Sequence, residues 1–381
     1  MSTLTEEETD FVQQADAEAA ELAIKQQRIE RLLSEHSLDA ILIARNENVA
    51  WGTAGRVDMR VGVQRETGAG SLLITRSGRQ YYLTTENEGE RFRTEEFQQL
   101  NYEPLLQPWY ANSPEDSVRK VVGAGRVAGD VPFANAQPLL LQPFRFELTD
   151  AEVARYRWLG RAVAEAVEQT VLALEPGVTE RDMQARLCEP LIRRSILPSV
   201  YLCAADERIM RFPHPVPRAA ALKRFGMVGL CARRWGLTIS MTRFVHFGAM
   251  PSDLAARFGA MAQIYERTLL ATQEGASSDE IFTVIEDAFT KCGFAGGARR
   301  HHQGGATGYN EREWTARPGG PERVLPQQAF AWNPNLSGAK VEDTVVYRRG
   351  SMELLTPTPQ LPVIKASRQE PPFPVADVLI R

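Results

Sequence analysis

The sequence predicts an α+β fold in two parts, a smaller α/β domain followed by a larger domain of tandem α-α-β units. Three observations carry this prediction. Helical and strand-like patterns alternate from the N-terminus to about residue 145. A helix start is written at Thr149-Asp150-Ala151-Glu152, with Thr149 as N-cap and Glu152 reaching back to it. Beyond it, Leu172 to Leu187 and Leu269 to Ile285 repeat one pattern. Each is a helix, a glycine turn, a Ser/Thr N-cap with an acid at the third position, and a second helix.

The elements follow in order. Thr5 to His36 is charged and reads as helix, with Phe11, Leu22, Ile24, Ile29, Leu32 and Leu33 as its apolar positions. Ala40-Ile41-Leu42-Ile43-Ala44 is a short apolar run of strand type. Ser71 to Thr85 reads as a hairpin turning at Arg76-Ser77-Gly78-Arg79. The helix opened by Thr149 carries Val153, Tyr156, Val163, Val167 and Val171 and stops at Glu175-Pro176-Gly177. Hairpins are expected within Met227–Val245 and Ala329–Arg348, one after each helix pair. The expected divisions are a helical segment 1–36, an α/β domain 37–146, a larger domain 147–365 and a tail 366–381.

Composition narrows the function. Of 381 residues, 43% are hydrophobic and 24% charged, the balance of a globular chain with a full core. Lys and Arg number 44 against 48 Asp and Glu, so no broad basic field awaits nucleic acid. No run of eighteen apolar residues offers a membrane span, and Met1–Asp10 has no apolar signal region, so a cytoplasmic protein is expected. Cys188, Cys203, Cys231 and Cys292 form no CxxC pair, which argues against a disulfide scaffold or a zinc ribbon. They are expected to be structural.

Chemistry must come from few residues. There are five histidines: His36, His214, His246, His301 and His302. His36 ends a helix and reads as solvated; His246 reads as a satisfied, partly buried ring. His214 lies in the stiff loop Arg211-Phe212-Pro213-His214-Pro215. His301 and His302 precede the glycine-rich run Gln303-Gly304-Gly305-Ala306-Thr307-Gly308-Tyr309, where a ligand can approach the backbone. Glu342 and Asp343 are neighbours in a β-type run, so their side chains should point to opposite faces, one of them inward. A buried carboxylate needs a cation or donors, which makes it a site candidate.

The hairpin Gly229 to Arg243, the His302-x-x-Gly305 pattern and Val341-Glu342-Asp343 ahead of Gly350 resemble the creatinase, aminopeptidase P, prolidase and methionine aminopeptidase family. The resemblance covers roughly residues 20 to 365. It implies a C-terminal pita-bread domain behind a creatinase-type N-terminal α/β domain, and a homodimer. Metallopeptidases of this family hold two divalent ions with two Asp, one His and two Glu. Matching the motifs puts Gly229 and Ser240 at the aspartates, His302 at the histidine, Asn333 at one glutamate and Glu342 at the other. One carboxylate cannot balance two buried divalent ions, so no metal cofactor is expected.

Creatinase implies the alternative, since it cleaves a C–N bond without metal through a histidine in the loop matched here by His214. The reading is a metal-independent, creatinase-like enzyme acting on a small amino-acid-derived substrate. His214, His302 and Glu342 are its acid–base residues. Asn333, Ser240 and Tyr309 would line the site, and Asn333 could stabilise an oxyanion. Arg56 and Arg60 match positions that reach the neighbouring subunit's site and could bind a substrate carboxylate. The alternatives are a silent binding protein, an Xaa-Pro aminopeptidase-like metallopeptidase, and a cyclase, lyase or isomerase. No nucleic acid or membrane partner is expected.

Overall fold

Two tandem helix pairs, each followed by an antiparallel hairpin, frame the larger part of the chain. The computed structural model describes residues 15–110, 114–133, 136–364 and 374–381, and its contacts divide it into units Met1–Arg145 and Phe146–Arg381.

In the first unit, α1 (Ala15–Glu35) is followed by β1 (Ala40–Arg45), β2 (Thr67–Thr75), β3 (Gln80–Thr85), β4 (Glu103–Gln107), β5 (Val127–Gly129) and β6 (Ala136–Pro138). They form one mixed sheet in the order β4-β3-β2-β1-β5-β6. The expected hairpin is β2–β3, antiparallel, with Leu72 opposite Tyr82. On α1, Ile29, Leu32 and Leu33 are buried, whereas Ile24 is 39% exposed. Thr5 and Phe11 lie outside the described residues.

The second unit opens with α2 (Asp150–Leu172), whose N-terminus carries the complete capping box of Thr149 and Glu152. Then come α3 (Glu180–Arg193), β7 (Leu197–Ala205), β8 (Phe225–Arg234) and β9 (Leu237–His246). The second repeat is α4 (Ser252–Ala271), α5 (Ser278–Lys291), β10 (Gly304–Thr307), β11 (Trp314–Thr315), β12 (Gln327–Trp332), a small ladder β13 (Asn335–Leu336) and β14 (Ala339–Lys340), then β15 (Asp343–Arg348) and β16 (Ser351–Leu354). This is the expected pita-bread architecture.

The repeat is visible in the backbone. Thr179 caps α3 with a capping box and bridges to Ala221, and Ser277 caps α5 in the same way and bridges to Arg323. Before each cap a left-handed glycine, Gly177 or Gly275, donates its N–H across to Leu222 or Val324.

The two hairpins meet at their middles. Ser240 N–H donates to Thr344 Oγ1 (2.9 Å), Thr344 Oγ1 donates to the Ser240 carbonyl (2.8 Å), and Thr242 bridges Glu342. Here the expectation that one of the two acids faces inward falls short: Glu342 and Asp343 take different partners and are both buried, at 5% and 3% exposure. The chain at this point is covered on both sides, so each carboxylate needs its own cation. Asp343 takes Arg243 (2.6 Å) and the Thr356 hydroxyl (2.7 Å).

Candidate functional site

β8 and β9 pair so that Gly229 faces Thr242 and Cys231 faces Ser240. Period-two alternation puts these four residues on one face, to which Glu342 adds its carboxylate. Thr242 Oγ1 donates to Glu342 Oε2 (2.6 Å), Lys340 Nζ lies 2.5 Å from the same oxygen, and Arg312 Nη2 lies 3.3 Å from Oε1. Arg312 Nη1 also reaches Ser240 Oγ (3.3 Å), whose proton is directed at Cys231 Sγ (3.1 Å). Burial alone would raise the pKa of Glu342, but Lys340 and Arg312 outweigh it and bring it down to about 2. The acid is therefore ionised and already balanced by two cations of its own chain.

Three histidines converge beside this cluster. His214 comes from the loop after the short helix Glu207–Arg211, and His301 and His302 from the bend before β10. His301 Nε2 faces His214 Nε2 at 3.1 Å, and the rings of His301 and His302 have centroids 4.2 Å apart. One nitrogen from each of the three rings lies within 4.8 Å of the others. Packing and the cations lower all three pKa values. Burial leads, with Arg312 next for His302, which falls to about 3 although one edge is solvent-exposed; for His214, Lys340 follows burial. Neutral imidazoles are the form present at pH 7.

His214, His302 and Glu342 thus occupy one neighbourhood, but among the described residues no hydrogen bond joins Glu342 to an imidazole. His301 was missing from the predicted set. Ser240 and Asn333 are buried in the same region, and Asn333 Oδ1 has no hydrogen-bond partner among the described residues. Tyr309 does not line the site. It is fully buried and donates to Glu152 Oε1 (2.6 Å), which locks it to the capping box of α2. Arg56 and Arg60 belong to the first unit, where Arg56 pairs with Glu18 and Arg60 lies 2.5 Å from Asp58. Each is committed to a local acid. His246 is satisfied by the Gly248 carbonyl (2.9 Å), and burial pushes the Cys231 thiol up to about 11.

Beside His301 opens a cavity of about 200 Å³. Ile209, Met227, Phe244 and Leu336 give it an apolar floor, while Arg211, Arg300, Lys340 and His301 supply a basic rim without an acid. An anionic ligand with an apolar part matches that lining.

A carboxylate-bridged pair of divalent ions does not fit these residues. A Cβ built on Gly229 would meet Thr242 Oγ1 at 2.8 Å, so the position has no room for a ligand side chain while that hydroxyl holds Glu342. Glu342 gives this face its carboxylate, and Lys340 and Arg312 hold both of its oxygens. Ser240 and Asn333 are neutral. Two divalent ions there would add charge beside two fixed cations.

The comparisons agree with the architecture. No curated protein sequence matches the chain. Among solved structures it is similar to an Xaa-Pro dipeptidase from Bacillus anthracis, with TM-score 0.73 and 17% identity over 94% of this chain and 100% of that one. It is also similar to the prolidase from Pyrococcus horikoshii OT3, with TM-score 0.72 and 17% identity over 88% of this chain and 98% of that one. A further likeness is to the N-terminal domain of the FACT complex subunit SPT16 from Cicer arietinum (chickpea), with TM-score 0.59 and 12% identity over 88% and 97%. At such identities the likeness establishes the fold. The sequence pattern of metallopeptidase family M24 matches residues 154–349, the segment that holds all but the first turn of the two helix pairs, the three clustered histidines and Glu342. With more than half of its length matched by that pattern, the chain belongs to metallopeptidase family M24.

Proposed function

We propose that the chain hydrolyses the C–N bond of short peptide-like substrates bearing a free carboxylate, at the imidazole cluster and without a carboxylate-bridged metal pair. The observation that carries this reading is that His301 and Lys340 line one cavity with a basic rim, His301 facing His214 and Lys340 paired with Glu342. Likeness to structures described as an Xaa-Pro dipeptidase and a prolidase favours a dipeptide over a creatine-like guanidine.

The roles follow from electrostatics. His302, with its pKa near 3, is too weak a base for the task, so its sequence-assigned role passes to His301 and its partner His214. The Arg211 and Arg300 guanidiniums bind the substrate carboxylate, and the apolar floor takes its side chain. Once a water displaces exposed His214 from it, His301 Nε2 takes that water's proton as the water oxygen bonds to the carbonyl carbon. Lys340, held in place by Glu342, faces the oxyanion that forms. The C–N bond then breaks, and the imidazolium returns its proton to the leaving amine.

The test is amine release from dipeptides offered as free acids and as C-terminal amides. Hydrolysis confined to the free acids is expected; equal rates on both would remove the basic rim from the account. A second reading, a catalytically silent ligand-binding domain, is favoured by the saturation of Glu342. Carboxylate binding without turnover would establish it.

A further inference from the structure

We propose that His214, His301 and His302 form a mononuclear site for a late first-row transition ion, zinc above all, and that filling this site silences hydrolysis. The site shares His302 with the position matched to the family's metal-binding histidine but draws on no carboxylate. Its binding half stands on geometry alone; its silencing half rests on the function proposed above.

The donor set is three imidazole nitrogens within 4.8 Å of one another. His301 Nδ1 is taken by the carbonyl of His302 at 2.5 Å and lies 3.1 Å from Asn335 Nδ2. With Nδ1–H donated to that carbonyl, the second contact seen around most metal-bound histidines, the lone pair is left on Nε2. That Nε2 faces His214 Nε2 at 3.1 Å. Two nitrogens on a tetrahedral zinc stand about 3.3 Å apart. At 3.1 Å either a shared proton or a metal ion fits between the two nitrogens. The remaining ring, His302, is solvent-exposed and can swing the short distance required, and exposed His214 leaves an entry path.

Ligand chemistry selects the ion. Three imidazoles and no carboxylate suit zinc, copper, nickel or cobalt and offer little to manganese, magnesium or calcium. Three protein ligands leave a fourth position open. Lys340 and Arg312 together outweigh Glu342 by one positive charge, so an anion such as hydroxide or chloride is the favoured fourth ligand. A metal on His301 Nε2 removes the lone pair that would accept the proton from water.

The test is titration of the full, metal-free chain with ZnCl2, CoCl2 and MnCl2. Calorimetry and the visible bands of bound cobalt are the readouts. One equivalent of zinc or cobalt is expected, with four-coordinate cobalt bands and no manganese uptake. His301→Ala and His214→Ala should each weaken binding by at least about 10-fold, whereas Ser240→Ala should not. His301→Gln, of similar polarity, serves if the alanine variant melts early. Two equivalents, or unchanged affinity in both histidine variants, would overturn the site. Zinc uptake with full hydrolysis would overturn the silencing. Absence of hydrolysis from metal-free protein would instead count against the proposed function, with ion binding still measurable.

Discussion

Lys340 places its ammonium nitrogen 2.5 Å from Glu342 Oε2, two residues along the chain and on the same side of it. With Arg312 on the other carboxylate oxygen, the pair supplies the positive charge that metallopeptidases of this architecture draw from ions. The pocket therefore holds its acid ionised with cations of its own chain, one positive charge in excess.

Breaking that balance has a defined cost. Lys340→Met leaves Glu342 buried with one cation fewer, and removal of one partner from a buried ion pair costs about 3–5 kcal/mol. The double variant Lys340→Met/Glu342→Gln should recover much of the loss. Urea denaturation of the single and double variants measures it, and additive losses would mean that the two side chains do not interact.

Acid should destabilise the fold through His302 and Glu342 together. Both have folded-state pKa values below their unfolded ones, about 3 for His302 and about 2 for Glu342. An unfolded histidine takes up a proton near pH 6.5 while the folded one waits until about 3, so the unfolded state binds more protons in that interval. Stability is present above pH 6.5 and is lost as pH falls toward 3, with Glu342 extending the loss to about 2. Melting temperature against pH should show this slope. His302→Gln should reduce the slope of the upper part, from pH 6.5 to about 4.5, with His214 and His301, also lowered, keeping the remainder.

Tyr309→Phe separates structure from binding. The lost hydroxyl leaves Glu152 Oε1 short of a buried, charge-assisted donor, which predicts destabilisation of about 1.5–3 kcal/mol. Substrate KM should not change. A raised KM without loss of stability would return Tyr309 to the site.

Cys231 should be a bystander. Burial pushes its thiol up to about 11, so little thiolate exists at pH 8 and iodoacetamide should label it slowly. Cys231→Ala should keep its turnover within about twofold, against the loss expected for a nucleophile.

Much of the fold was legible because local signals agree with the global arrangement. Capping boxes at Thr149, Thr179 and Ser277 mark helix starts wherever they occur, and each glycine turn repeats its function in its own half. The site was legible only in part. His214, His302 and Glu342 were found through motif positions. His301 was passed over because the motif position falls on His302; the pair sits in a bend that brings the two rings to 4.2 Å between centroids. Lys340 carried a signal in its two-residue spacing from Glu342. Arg312 carried none, because a partner thirty residues away is chosen by topology. Tyr309 looked available because it follows a glycine run, and nothing local reveals a clamp on a helix 157 positions earlier.

The most direct measurement is turnover of free-acid dipeptides by protein stripped with chelator and checked for metal content, alongside His301→Gln. The account predicts that the stripped protein hydrolyses them and that the variant loses at least about 100-fold in kcat/KM. Activity that appears only with two bound manganese or cobalt ions, and that survives His301→Gln, would contradict it.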